Sequence, residues 1–165
     1  MDLLGQLLVH RTAEGFRVAR IVETEAYISG DQANHARIGP TVRNRAMFGP
    51  PGTLYVYRIH QVVCANLVTR AGQAVLLRAG APILPPEANP SGPGRLCRVL
   101  GLTLADDGTT SSEGGRWELY AAEPRTARRQ VVTGPRVGIS RAVDRPLRFA
   151  IAGDPWVSRP RPPPT

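Results

Sequence analysis

Between residues 15 and 28 polar and apolar side chains alternate with a period of two, the spacing of a strand and not of a helix. That phase sets Glu23, Glu25 and Tyr27 on one face and Val22, Thr24 and Ala26 on the other. Two carboxylates and a phenol therefore point the same way. Elsewhere 17 glycines and 16 prolines punctuate the chain and leave little room for long helices. Further strands are expected at residues 54–59, with Tyr55, Tyr57 and Ile59 sharing a face, and at residues 63–68, 75–79, 117–120, 136–139 and 147–152. A turn at His60-Gln61 makes the first two of these a hairpin. Thr41 is placed to cap a short helix running to Phe48, and a second helix spans residues 95–100, opened by Gly92-Pro93-Gly94 and closed by Gly101. Residues 29–40, with His35, and 105–115 read as loops, and residues 80–94, with five prolines, as an irregular stretch. No βαβ alternation is visible. The expected fold class is α+β: a single domain over residues 1–158 on a mainly antiparallel sheet with few helices, followed by a Pro/Arg-rich disordered tail at 159–165.

Composition narrows the chemistry. No apolar run approaches the roughly 20 residues that cross a bilayer, and the first residues lack a secretory pattern, so a cytoplasmic protein without membrane partners is expected. Cys64, Cys97, His10, His35 and His60 are scattered without metal-ligand spacing. No metal or cofactor is expected, and both cysteines read as packing residues. The formal charge is +8, and all 21 basic residues are arginine. Arginine suits planar, bidentate phosphate contacts, although a GC-rich genome produces the same bias. Charge is also blocked along the chain: residues 37–100 hold eight arginines against one acid, and 124–165 nine against two, whereas 1–36 and 101–123 are net acidic. The two basic blocks either build one phosphate-facing surface or solvate separate faces.

The order and spacing of Ile21-Val-Glu-Thr-Glu-Ala-Tyr27, His35, Arg43-Asn-Arg-Ala-Met-Phe48, Gly52-Thr-Leu-Tyr-Val-Tyr57 and Leu76-Leu-Arg-Ala79 resemble the alkyladenine (3-methyladenine) DNA glycosylase family. Gly92-Pro-Gly-Arg-Leu-Cys97, Pro146-Leu-Arg-Phe149 and Pro155-Trp-Val-Ser158 extend the resemblance over most of the chain. It implies a compact α+β domain whose β-hairpin enters the DNA minor groove as a monomer on double-stranded DNA. It also implies a monofunctional hydrolase of base excision repair that flips alkylated or otherwise damaged purines from the duplex and cleaves the N-glycosidic bond with water.

A base cannot be attacked at its sugar carbon inside the stack, so such an enzyme needs a wedge, a stacking pocket, a phosphate holder and a water activator. The resemblance gives Glu25 the activator's role, although a strand glutamate taken alone is most often solvated. Glu23, on the same face, is expected to be structural or solvated. Tyr27 and Tyr57 are the implied walls that sandwich the base; core packing is the plainer role for either. Tyr55 has no comparable claim. His35 is implied to hydrogen-bond the lesion, and Asn66 to crowd the exocyclic amine of guanine, against the alternative of holding backbone. Arg78, set among apolar residues, requires a carboxylate, a carbonyl or a phosphate; the resemblance makes it a contact to the target nucleotide's phosphate, with a structural ion pair as competitor. Arg43 and Arg45 bind phosphate or stabilise the fold.

The chain departs from the family at the hairpin corner, where relatives carry a tyrosine followed by glycine as the wedge and this chain has His60-Gln61 in a stretch one residue shorter. His60 is the positional match and the wedge candidate. The chain also starts later than relatives and lacks the longer basic insertion that often follows Arg78-Ala79, so some phosphate contacts are expected to be missing. A glycosylase with lyase activity normally uses a lysine amine, and there is no lysine, so no lyase activity is expected. Two other functions remain open on the residues alone: a weakly catalytic or non-catalytic DNA-lesion-binding module, and an RNA-binding domain on a similar sheet.

Overall fold

The computed structural model describes residues 3–112, 114–121 and 130–162. Within them lie eight strands: β1 (Leu7–Thr12), β2 (Gly15–Tyr27), β3 (Leu54–Ile59), β4 (Val62–Arg70), β5 (Gln73–Leu84), β6 (Trp117–Tyr120), β7 (Val131–Gly134) and β8 (Arg148–Ile151), with one α-helix, α1 (Pro93–Leu100). They form one sheet in the order β3-β4-β5-β2-β1-β6, and β8 joins β2 and carries β7. Every strand pair is antiparallel. The α+β class expected from the sequence is the class observed.

The long strand β2 organises the molecule. Its first half pairs with β1 on one side, its last residues pair with β8 there instead, and β5 runs along the other side. Residues 21–25 are all buried, so this strand is covered on both faces. Here its alternation separates two buried faces and not core from solvent. Ile21 packs with Leu8, Leu54, Leu77 and the α1 residues Leu96, Cys97 and Leu100, whereas Val22 joins Ala79, Val132 and Ala150 in a second cluster. Helix α1 approaches β5 closely at Gly80, where an added Cβ would lie 3.0 Å from Leu96 and 3.1 Å from Ala19. A side chain there would force Leu96 and Ala19 to give by a few tenths of an ångström, so glycine suits this close approach.

The structure corrects four expectations. β5 continues through residues 80–84, which read as irregular; Pro82 is tolerated because β4 pairs only as far as Leu76, leaving that edge of β5 without a β4 partner. No helix spans 41–48: Asn44 Oδ1 takes the backbone N–H of Thr41 at 2.6 Å and its hydroxyl at 2.9 Å, and a short 3₁₀ turn covers only Arg45–Phe48. His35 opens another 3₁₀ turn, His35–Ile38, capped by the Asn34 side chain. Residues 136–139 are not a strand; β7 lies earlier, because Pro135 has no N–H, Arg136 is drawn inward and Gly138 adopts φ 78°. Tail residues 159–162 carry no helix or strand, and 163–165 lie outside the described residues. Cys64 and Cys97 are free and buried, as expected. Among the described residues no helix is long and apolar enough to cross a membrane.

Candidate active site

β2 delivers Glu23 and Glu25 to a charged interior lying between β5, β8 and the segment after β7. Neither carboxylate has any exposed area. Glu23 accepts from Arg148 Nε at 2.5 Å and from the Ser158 N–H at 2.7 Å, with Arg78 Nε 3.2 Å away. Arg148 also donates to Ser158 O at 3.0 Å, and Arg78 to Ser158 Oγ at 3.1 Å. Glu23 is thus structural, as the knot that ties the C-terminal segment to the sheet. Removing one partner of such a group would leave a buried charge uncompensated, at about 3–5 kcal/mol.

Glu25 is held differently. Its Oε1 accepts the Val137 N–H at 2.9 Å and lies 3.2 Å from Arg78 Nη1, and its Oε2 accepts the Tyr27 hydroxyl at 3.0 Å. Of roughly four acceptor positions on a carboxylate, one on Oε2 remains. Tyr27, Arg78 and Val137 all line a cavity of about 340 Å³, so Glu25 sits directly behind its wall. Burial and the neighbouring Glu25 charge push the Tyr27 phenol well above its ordinary pKa, which keeps the hydroxyl protonated as a donor. Arg78 answers its buried charge with two carboxylates.

The opposite wall comes from β3 and β4. Tyr55 and Tyr57 stack with ring centroids 5.3 Å apart, and the His35 ring meets Tyr57 edge-on at 4.8 Å. His35 Nδ1 lies 3.0 Å from the Tyr55 hydroxyl. Partial burial, aided by the charge of Arg37, lowers the His35 pKa, so the ring is neutral at pH 7. Burial pushes the Tyr55 phenol up to about 12. Asn66 Nδ2 donates to Tyr55 O at 3.0 Å while its side chain borders the cavity. Tyr55 is therefore more than a bystander: it backs Tyr57 and orients His35. The loop bearing His35 is fixed by two asparagines, Asn34 donating to Ile28 O and Gly72 O, and Asn44 to His35 O and Gly39 O.

β3 and β4 join through His60-Gln61 in the two-residue hairpin that the sequence predicts. His60 takes φ 51°, a left-handed conformation that glycine adopts more easily. The tip is open: Ile59 is 52% and Val62 42% exposed, and both border the cavity with His60. Beyond it a wider cleft of about 650 Å³ shares Tyr55, Tyr57, His35 and Ile59, and its rim carries Arg37, Arg43, Arg58 and Arg141. Three of these exposed arginines come from the first basic block and one, Arg141, from the second. Arg45 lies outside both cavities.

Sequence reasoning brings Glu25, Tyr27, His35, Tyr57, Asn66, Arg78 and His60 to one place, and all but Glu25 line the smaller cavity. It missed the third side. Arg136, buried, is clasped by both carboxylate oxygens of Asp31, donates to Ala26 O at 2.9 Å and lies 4.7 Å from the centre of the Tyr27 ring. The available signal was the lone arginine between Pro135 and Val137, in a stretch read as an ordinary strand.

The methylpurine-DNA glycosylase (MPG) family model matches residues 1–155. A protein of Anaeromyxobacter dehalogenans strain 2CP-1 named "Putative 3-methyladenine DNA glycosylase" is 46% identical over 168 residues, covering 97% of this chain and 79% of the relative. Proteins of the same name from Methanoculleus marisnigri and Nitrosospira multiformis are 44% and 41% identical, covering 96% of this chain in each case and 91% and 86% of the relatives. With this match running from the first residue to beyond β8, the chain belongs to the methylpurine-DNA glycosylase family.

Proposed function

We propose that this chain is a monofunctional glycosylase that flips an alkylated or otherwise damaged purine out of double-stranded DNA and hydrolyses its N-glycosidic bond. The observation that carries this reading is the pairing, around one cavity, of a buried carboxylate with two tyrosines and a neutral histidine. The flipped base stacks between Tyr27 and Tyr57, each worth about 1–3 kcal/mol per base. His35 hydrogen-bonds its edge, and Asn66 crowds the position of a guanine amine. Glu25 takes a proton from water as the water attacks the anomeric carbon, using the acceptor position left on Oε2. The cleaved bond's electron pair leaves with the purine, and the sugar gains the hydroxyl. The water's proton stays with Glu25 when the purine is an alkylated cation, which departs neutral, or passes on to the base when the purine was neutral, as hypoxanthine is.

Arg78, beside Glu25, steadies the carboxylate and reaches the target nucleotide's phosphate from the cavity wall. Arg37, Arg43, Arg58 and Arg141 take the flanking backbone, and His60, with Ile59 and Val62 beside it, fills the gap in the stack. The enzyme acts as a monomer without metal or cofactor. Lysine being absent, strand cleavage at the abasic site falls to another catalyst.

One observation favours a second reading, a lesion-binding module: Glu25 has no surface in the cavity. Single-turnover base release separates the two. Duplexes with one hypoxanthine or ethenoadenine, and methylated genomic DNA, are incubated with wild type and Glu25→Gln. Release by wild type alone, with the variant still binding lesion DNA, supports hydrolysis. Binding without release by either protein supports the module.

A further inference from the structure

Arg136 and Asp31 line neither cavity, yet Arg136 contacts Tyr27, which lines the smaller one. Both side chains are fully buried, and the pair joins the loop that follows β2 to the segment that follows β7. Arg136 grips the backbone between Glu25 and Tyr27 through Ala26 O at 2.9 Å and covers the Tyr27 ring at 4.7 Å. It also donates to Ala142 O at 3.4 Å, and so spans the segment carrying the cavity residues Val137, Gly138 and Ile139. The next residue, Val137, gives its N–H to Glu25 at 2.9 Å. The carboxylate, the stacking ring and the donor that orients the carboxylate are thus all referred to one guanidinium, and Asp31 fixes the plane of that guanidinium with two bonds.

We infer that the Asp31–Arg136 pair is a positioning device for base release, setting Glu25 and Tyr27 against the bound purine without touching it. The inference rests on the glycosylase reading. It requires the fork of arginine and not charge alone, because an ammonium group cannot hold two coplanar oxygens and reach Ala26 O and Ala142 O together. A misplacement of about 1 Å at the reacting groups slows chemistry by about 10²-fold.

The test uses Arg136→Lys, Asp31→Asn, the double variant and the milder Asp31→Glu on a hypoxanthine duplex. Active molecules are counted by stoichiometric binding, and single-turnover release is measured per bound complex. The expected result is a fall of about 10²-fold in rate per complex for Arg136→Lys and Asp31→Asn. Affinity falls far less, and the double variant is no slower than the slower single because both changes break one pair. Asp31→Glu, which keeps the charge and shifts the carboxylate, is slowed as well. A merely structural pair changes only the fraction of molecules that bind; a wild-type rate per bound complex in the variants, or loss of binding and rate in step in all of them, overturns the inference. A wild type that releases no base overturns the glycosylase reading and the inference together.

Discussion

The two walls of the smaller cavity are built on opposite principles. Behind the β2 wall the charged side chains Glu23, Glu25, Asp31, Arg78, Arg136 and Arg148 are buried and ion-paired. On the β3–β4 side the cavity is lined by the uncharged Tyr55, Tyr57 and Asn66, the rings contact one another, and the tip at Ile59, His60 and Val62 opens to solvent. The first wall resists change because a buried charge without its partner is costly; the second can vary because neutral packing and an exposed corner are not. The hairpin corner at His60-Gln61 lies on the tolerant wall, and Glu25 on the wall that resists change.

The largest test of this asymmetry compares the two glutamates of β2. Glu25→Gln is expected to reduce single-turnover release by about 10²–10⁴-fold while lesion-duplex affinity is retained. Glu23→Ala is expected to act on folding, with a loss of about 3–5 kcal/mol read by denaturant unfolding, since Arg148 and Arg78 lose their shared carboxylate. If Glu23→Ala were stable and Glu25→Ala unfolded the protein, the division of labour between the two residues would be reversed.

These glutamates also mark what a sequence can and cannot disclose. Strand phase put both on one face, and both do enter the same charged interior. Phase alone cannot tell a solvated face from a buried one, because partners such as Arg148 and Ser158 lie more than 120 residues away. Tyr55, Tyr57 and Ile59 were legible as one face because a hairpin is a local structure. Arg136 was not, because its bond to Asp31 spans 105 positions, and what breaks the expected strand there is its inward turn. Arg78 shows the intermediate case: its apolar setting demanded a partner without saying which.

On the aromatic wall the effects are expected to be smaller and confined to binding. Tyr57→Ala removes a stacking surface and should weaken lesion-duplex affinity by about 1–3 kcal/mol in equilibrium titration, leaving the folded state intact. Tyr27→Ala should lose as much affinity and, in addition, slow release, because Tyr27 also donates to Glu25. Equal rates of release for the two variants would show that the two walls do not differ in kind. At the rim, each single Arg→Gln change among Arg37, Arg43, Arg58 and Arg141 should lower the slope of log affinity against log salt by about 0.9 if that arginine meets phosphate. An unchanged slope would remove it from the DNA-facing set.

The hairpin corner gives the smallest and most discriminating effect. His60 holds a backbone conformation in which glycine is less strained, so His60→Gly should leave stability unchanged or raise it by up to about 1 kcal/mol in thermal or denaturant unfolding. The same change removes the side chain proposed to fill the stack, so it should lower release from duplex more than release from single-stranded substrate, which needs no wedge. His60→Tyr should do the reverse, raising duplex activity relative to single-stranded activity with little change in stability. A duplex preference that ignores both substitutions would take His60 out of the wedge role and leave the exposed apolar pair Ile59 and Val62 as the part of the tip able to enter the stack. That outcome would refine the contrast between the walls without removing it, because the corner would still be the exposed, uncharged-packing element of the site and the β2 side its buried, ion-paired one.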